Sequence, residues 1–452
     1  MRQVYVKIRT PPRISGAAAP TYPDIGSRDP HRPTCWGIIS VARRWLLYSY
    51  DAMGLGHVRR SLAVAKAVLR ESKDIGALLL TCSPLVDALP IPQGLDYIKL
   101  PSARKLDNDH YAPRTLPMEP GTFRRMRARL ILDAAQMYDP HLVLIDKSPL
   151  GLMGECRDAL DALRMGNPGR SMVLGWRDIL DDPKTVFAEW SRNGTLRNVE
   201  TYYNELWVYG DPELFDVREE YNLPGPIASR IRYLGYLAPD VDAASRELLR
   251  SSLLGNEDAL AVVTPGGGED GERVTAAYLD AASRGLLPRR LRSLVVTGPA
   301  MPASALAGFQ ARSIPGVTVE TFRADLTTAI AAADVVVGMG GYNTVCEALA
   351  GRTPAVLAPR RWPRQEQYLR AKRFEARGLC RVVEPEPRAL SDGVRQALAS
   401  GPLRGRLPAC GGLERVRQEV RRILQQAGGA NGAPARMPLS PRLSSPRGEA
   451  WA

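Results

Sequence analysis

The most constraining feature of this chain is a pattern that it uses twice: a short unbroken apolar run, a loop rich in glycine, then a helix. Trp45–Tyr50 leads through Asp51-Ala52-Met53-Gly54-Leu55-Gly56-His57 into Val58–Glu71, where Leu62, Ala65, Val68 and Leu69 mark one helical face. After Pro239 the pattern restarts, with Ala259–Thr264, the loop Pro265–Gly271 and a helix over Arg273–Ala282. Runs without polar alternation are strands covered on both faces, the signature of parallel sheets flanked by helices. Further runs lie at Ala77–Thr81, His141–Ile145, Met172–Leu174 and Glu205–Tyr209. The second half adds Arg292–Thr297, Val317–Glu320, Val335–Val337 and Ala355–Leu357, and a closing helix over Glu414–Gln426. The expected fold class is α/β, with two doubly wound, Rossmann-like domains facing a central cleft. The expected boundaries are a disordered basic leader over 1–44, an N-terminal domain over 45–238, a C-terminal domain over 239–427 and a disordered tail over 428–452. Ligands bind such sheets beyond the carboxyl ends of the strands, so the glycine loops are the places to look for chemistry.

Charge and composition exclude several classes. The net charge of +13 invites a nucleic-acid reading. Residues 1–44, however, hold eight basic against two acidic side chains, and 428–452 hold three against one, so the tails account for most of the excess. A duplex-binding protein concentrates charge on one folded face, and 6% aromatics is sparse for a stacking surface. No nucleic-acid partner and no partner protein is expected. The six cysteines (Cys35, Cys82, Cys156, Cys346, Cys380 and Cys410) form no C-x-x-C pair, which argues against zinc and against a disulfide framework. Cys82 and Cys346 sit in apolar segments and read as buried thiols. No run is long and apolar enough to span a bilayer, and no signal pattern opens the chain, so the expected compartment is the cytoplasm.

Three loops carry the chemistry. In Asp334–Gln367, glycines at a strand-to-helix turn (Gly338, Gly340, Gly341) let a ligand approach the backbone. The N-terminus of a helix over Asn343–Ala350 offers free N–H groups and positive dipole to phosphate. Asn343 and Thr344 add side-chain donors. Glu347 stands one turn inside the helix, where a carboxylate can take two ribose hydroxyls; the competing reading is a capping box, Thr344-x-x-Glu347. The second loop, with Gly266, Gly267 and Gly268, can form an anion-binding nest or be a simple turn. Glu269 and Asp270 must then point away from phosphate or touch sugar hydroxyls. The third loop places Gly54, Gly56 and His57 at a strand end. His57 is the candidate base, with Asp51 as its partner or an alternative base, and Arg59 reads either as a phosphate contact or as a solvated helix residue.

The order Gly340-Gly341, Thr344, Glu347-Ala348, Gly351, Pro354, Pro359 and Gln367 resembles the donor motif of the MurG-like GT-B glycosyltransferases, which carry a glycosyltransferase family 28-type C-terminal domain. The resemblance implies that Glu347 holds the nucleotide ribose and that Gln365, Glu366 and Gln367 lie by the donor sugar. Glu366 departs from the glutamine common there and leaves the sugar open. It further implies transfer of a hexosyl group from a UDP-sugar to an acceptor hydroxyl, inverting, without cofactor or essential metal, the nucleotide sugar being a substrate. The stretch Gly54–Ala63 is also similar to UDP-sugar hydrolases of the pseudaminic-acid pathway. A hydrolase, an isomerase on the same fold and a non-catalytic nucleotide-sugar-binding protein are the alternatives. MurG works on a lipid-linked acceptor, so the resemblance keeps a peripheral position at the inner membrane face in view.

Several features stay outside that motif. Asp107-Asn108-Asp109 matches a short metal-binding pattern of another transferase fold and is read as chance. The segment 101–122 reads as a long loop over the acceptor. Arg124, Arg125, Arg127 and Arg129, interleaved with Phe123, Met126 and Leu130, read as a solvated face, with anionic lipid as the alternative. Arg360, Arg361 and Arg364 are placed to neutralise a diphosphate. Asp146-Lys147-Ser148 and Trp176-Arg177-Asp178 follow strands into the cleft without an assigned role.

Overall fold

The computed structural model describes residues 43–51, 55–106, 110–254 and 258–429, within one compact unit. The leader up to 42, Gly54, Asp107–Asp109 and the tail from 430 lie outside the described residues. Two sheets form the framework, both wholly parallel. The first contains Arg43–Tyr48 (β1), Ile75–Thr81 (β2) and Leu95–Lys99 (β3), then Leu142–Asp146 (β6), Ser171–Arg177 (β7), Glu205–Tyr209 (β8) and Ile231–Tyr233 (β9), in the order β3-β2-β1-β6-β7-β8-β9. A separate antiparallel hairpin pairs Ala103–Lys105 (β4) with Tyr111–Pro113 (β5). The second sheet contains Ala259–Thr264 (β10), Leu291–Val296 (β11), Val317–Glu320 (β12), Val335–Gly338 (β13), Ala355–Leu357 (β14) and Cys380–Val382 (β15), in the order β12-β11-β10-β13-β14-β15.

The unbroken apolar runs have a simple cause. Trp45 and Leu47 of β1 pack into one core, while Leu46 and Tyr48 enter another on the opposite face. Leu142 and Leu144 of β6 divide from Val143 and Ile145 in the same way, and in the second sheet Leu260 and Val262 divide from Ala261 and Val263. Side chains alternate along a strand, so a central strand with helices on both faces must be apolar at every position.

Three expectations need correction. The first strand begins at Arg43, inside the expected leader. The segment 101–122 is not an open loop: it holds the β4–β5 hairpin and ends in the helix Pro120–Tyr138. The closing helix, Gly412–Gly429, lies in the expected second domain by sequence but packs on the first lobe, against the helix Gly56–Leu69 and β6. Its Val416, Val420, Ile423 and Leu424 share a core with Trp45 and Leu47. Spacing of three and four residues puts those four side chains on one helical stripe.

The chain therefore crosses between the lobes twice, and the crossings touch. The Tyr236 N–H donates to the Ala409 carbonyl at 2.6 Å, and Leu237 bridges Gly411. A Cβ on Gly235, whose φ is +83°, would lie 2.5 Å from the Ala409 oxygen, and one on Gly412 would lie 2.5 Å from the Gly235 oxygen. Only glycine permits this approach.

The basic stretch on the helix Pro120–Tyr138 is divided by the fold. Arg127 is fully buried and makes a two-pronged ion pair with Glu155 (2.7 and 2.5 Å), whose carboxylate also accepts from the Tyr48 hydroxyl at 2.7 Å. Arg129 pairs with Asp133 and Arg124 donates to the Met153 carbonyl, while Arg124, Arg125 and Arg129 all stay exposed. Cys82 and Cys346 are buried free thiols, as their apolar neighbours imply. No helix among the described residues is long and apolar enough to cross a membrane.

Candidate functional site

In each sheet the order in which strands are added reverses at a central strand. β1 lies between β2 and β6, and β10 lies between β11 and β13. The crevice at such a switch point is where open α/β sheets bind ligands. The loops that end these strands are the ones carrying His57, Gly266–Gly268 and Gly340–Gly341.

His57 is the second residue of the helix Gly56–Leu69, and the end of β6 brings Asp146 to it. Nδ1 of His57 lies 2.5 Å from one Asp146 oxygen, and the Arg60 guanidinium donates to the other at 2.6 Å. Arg60 also lies 2.9 Å from Nδ1. One nitrogen cannot donate to the carboxylate and accept from the guanidinium at once. The ionised carboxylate is the stronger acceptor, so the proton belongs on Nδ1 and the Nε2 lone pair is left for a substrate. Burial alone would raise the Asp146 pKa, but Arg60 and then His57 hold it well below the usual carboxylate range. Burial lowers His57 to about 4 against the opposing pull of Asp146, which leaves the imidazole neutral at pH 7, with a nitrogen able to accept a proton. Tyr50 lies against the ring, with centroids 5.7 Å apart.

Asp51 does not take the partner role expected of it. Its carboxylate accepts from the Thr81 hydroxyl at 2.5 Å, its carbonyl accepts from the Cys82 thiol, and burial raises its pKa to about 6. It braces the loop while Asp146 orients the histidine. Asp146 was visible only as a carboxylate at the end of an apolar run. That run became meaningful once β6 proved to be the neighbour of β1.

On the opposite wall, Gly341 is the N-cap of the helix Tyr342–Gly351 and no side chain caps it. Thr344 thus lies inside the first turn, which removes the capping-box reading of Glu347. One Glu347 oxygen accepts from the Thr327 hydroxyl at 2.9 Å and from Arg59 of the other lobe; the second oxygen is buried with no partner. A buried carboxylate oxygen left unpaired is costly unless a ligand satisfies it. Asn343 donates to the Gly56 carbonyl at 3.1 Å, so the two glycine loops meet across the cleft. A Cβ on Gly341 would meet nothing within 4 Å, so the helix end is open.

The Gly266–Gly268 loop divides its glycines between two tasks. Gly268, at φ +99°, packs against the next strand's loop, where a Cβ would lie 2.5 Å from the Thr297 oxygen. Gly266, at φ +91°, has open space beside it. The loop's Asp270 pairs with Arg360, which also holds Glu366 at 2.6 Å. Asp270 thus turns away from a phosphate at the nest. Burial would raise the Glu366 pKa, but Arg177, Arg360 and Arg370 outweigh it and lower it to about 2. The second oxygen of Glu366 and the side-chain oxygen of Gln367 are buried without partners, whereas Gln365 is exposed and its backbone N–H donates to Asp181 at 2.7 Å.

The arginines beyond β14 are not the free cations expected. Arg360 is shared by Asp270 and Glu366, Arg361 pairs with Glu384, and Arg364 pairs with Asp181 and Glu189. Arg364 ties the 360–367 segment to the first lobe, while Arg360 and Arg361 hold it within the second. Asp178 acquires a role as well: Arg370 grips it through two hydrogen bonds (2.8 and 2.6 Å), Tyr236 donates to it at 2.9 Å, and Arg370 also donates to the Gly340 carbonyl. This buried pair ties the lobes together directly beneath the Gly340–Gly341 turn.

Residues 281–400 match the family described as glycosyltransferase family 28 C-terminal domain. A 125-residue stretch is 30% identical to the UDP-N-acetylglucosamine–N-acetylmuramyl-(pentapeptide) pyrophosphoryl-undecaprenol N-acetylglucosamine transferase of Mannheimia succiniciproducens. That match covers 28% of this chain and 35% of the relative. The fold is similar to MurG of Acinetobacter baumannii (TM-score 0.50, 14% identity, 85% of this chain and 99% of that one). It is also similar to a UGT transferase from Siraitia grosvenorii solved with UDP (TM-score 0.51, 14% identity, 85% and 94%). With both switch-point crevices facing one cleft, the chain has the fold of the GT-B glycosyltransferases, MurG among them, and residues 281–400 of its second lobe match the glycosyltransferase family 28 C-terminal domain.

Proposed function

We propose that the protein transfers a hexosyl group from a UDP-sugar to an acceptor hydroxyl. The observation that carries this reading is the opposition, across one cleft, of a neutral histidine with a free Nε2 and an uncapped helix end beside a half-satisfied carboxylate. Nε2 of His57 takes the acceptor proton as the acceptor oxygen attacks the anomeric carbon. The bond from that carbon to the diphosphate breaks and the electron pair leaves with UDP. Asp146 stabilises the imidazolium that forms. The N–H groups at Gly341–Asn343 and the open backbone at Gly266 receive the charge on the leaving group. Glu347 takes the ribose, and Glu366 and Gln367 offer unpaired oxygens to sugar hydroxyls. A single displacement inverts the anomeric centre. The leaving group is met by backbone dipoles, so no metal is assigned a role.

The Siraitia grosvenorii neighbour was solved with UDP and the Mannheimia relative is named for a UDP-sugar, which supports uridine as the base. The relative's named acceptor is linked to undecaprenol, which supports work in the cytoplasm at the inner membrane face. Calorimetric titration with UDP, GDP and dTDP tests the donor site: selective UDP binding is expected, and no binding to any nucleotide would sink the reading. Incubation with UDP-sugars then separates transfer, which needs an acceptor, from hydrolysis, which releases free sugar without one.

A further inference from the structure

Lys147 follows Asp146 at the end of β6 and adopts a left-handed backbone, with φ 68°. That conformation is uncommon for a residue with a side chain and often marks a functional turn. The turn is locked on both sides: its N–H donates to the Gly175 carbonyl at 2.8 Å, and its carbonyl accepts from the Trp176 indole at 3.1 Å. The ammonium is thereby aimed over the Tyr50 ring, 4.4 Å from the centroid, beside the His57 site. It has no hydrogen-bond or ion-pair partner among the described residues. Glu189 is the acidic side chain that acts on it, and that carboxylate is already held by Arg364 at 2.8 Å. Arg177, on the neighbouring strand, has a buried Nε with no partner, and its guanidinium meets Glu366 only at 3.7 Å, a carboxylate that Arg360 already holds at 2.6 Å. Cations here outnumber the carboxylates free to meet them, and a partly buried charge in that state seeks an anion.

We propose that Lys147, backed by Arg177, binds an anionic group, a carboxylate or a phosphate, carried by the acceptor whose hydroxyl meets His57. Lys147 and Arg177 belong to the first lobe, outside the residues that match the family domain; Arg364, the strongest charge acting on Lys147, reaches it from the 360–367 segment, and none of the groups acting on it comes from the Gly266 or Gly341 loops. An anion at this position offsets the loss of solvation on burial and the repulsion from Arg364, Arg177 and Lys105, which together lower the ammonium to about 7. The proposal rests on the transferase reading for the word acceptor, and its test separates the two.

The full-length protein is reductively methylated with carbon-13 at its lysines, and Lys147→Arg identifies the Lys147 resonance. Inorganic phosphate and acetate are titrated at constant ionic strength, with and without saturating UDP. The expected result is a Lys147 signal that saturates at about tenfold lower concentration than the exposed lysines, with UDP present. Whichever ion does so names the anionic group. A Lys147 signal that only follows the exposed lysines overturns the proposal. So does one that UDP alone shifts and then protects from phosphate, because the cation would then serve the donor. Failure of UDP to bind at all counts against the transferase reading, while the titration without UDP still decides whether the anion site exists.

Discussion

Arg59 and Glu347, 288 residues apart and on opposite lobes, form an ion pair through one carboxylate oxygen. The carboxylate assigned to the ribose is thus already in use from across the cleft. A nucleotide must share it or displace the guanidinium. Glu347→Ala is expected to weaken UDP binding about tenfold to a hundredfold, the loss of one or two hydrogen bonds to a charged group. Arg59→Met is expected to strengthen it a few-fold, because the competitor is gone. Calorimetry on both variants checks this, and weaker UDP binding in Arg59→Met would show that Arg59 serves the phosphates instead.

The histidine dyad makes a second prediction. His57→Ala is expected to lower turnover about 100- to 10,000-fold with UDP affinity intact. Asp146→Asn should be nearly as damaging, because an amide no longer holds the Nδ1 proton in place. Asp51→Asn should leave turnover within a few-fold. Equal losses from Asp51 and Asp146 would reverse their assignment.

The pH profile follows from the burial of His57. A base works when neutral, and an imidazole lowered to about 4 is neutral at any pH above that. Asp146, Arg60, Lys147 and Tyr50 all face it, and their sum still leaves burial dominant. Turnover under donor saturation is therefore expected to persist at pH 5–6 and to fall only as the pH drops toward about 4. An acid limb near pH 6.5, where an exposed histidine titrates, would mean that the ring is solvated in the working enzyme.

The Arg370–Asp178 pair predicts a stability effect. Both side chains are buried, so Arg370→Met leaves a buried carboxylate without its counter-ion, held by the Tyr236 hydroxyl and a backbone N–H alone, and should destabilise by about 3–5 kcal/mol. The double variant Arg370→Met, Asp178→Leu should recover part of that loss. Urea unfolding curves check both, and a single variant as stable as the parent would show that water reaches the site.

Chelation is the simplest test of the assigned chemistry. With leaving-group charge met by backbone N–H groups, excess EDTA is expected to leave turnover unchanged. A loss restored by a divalent ion would move that role to a metal.

Much of this architecture could be read in the sequence because central parallel strands must be apolar at every position. Glu205–Tyr209, Ala259–Thr264, Val317–Glu320 and Ala355–Leu357 have the same bounds in sequence and structure. Of the strands in the two large sheets, β3, β9 and β15 were not legible: all lie at sheet edges, where Leu95–Lys99 alternates with charge and the other two are three residues long, as are both strands of the β4–β5 hairpin. The Gly340–Glu347 segment was legible because a strand, a glycine turn and a helix follow one another locally in the chain. Asp146, Lys147, Asp178 and Arg370 were not, since their meaning depends on which strands lie side by side. The pairing of Arg360 and Arg364 with carboxylates escaped for the same reason: charge is visible in a sequence, but neutralisation at a distance of 90 or 183 residues is not.

The two touching crossings at Gly235 and Gly412 tether the lobes by two lengths of chain set side by side. A single tether leaves two bodies free to twist about it, whereas a pair restricts that twist. The bearing of His57 on the Gly341 helix end is therefore constrained by the covalent path of the chain as well as by the contacts across the cleft.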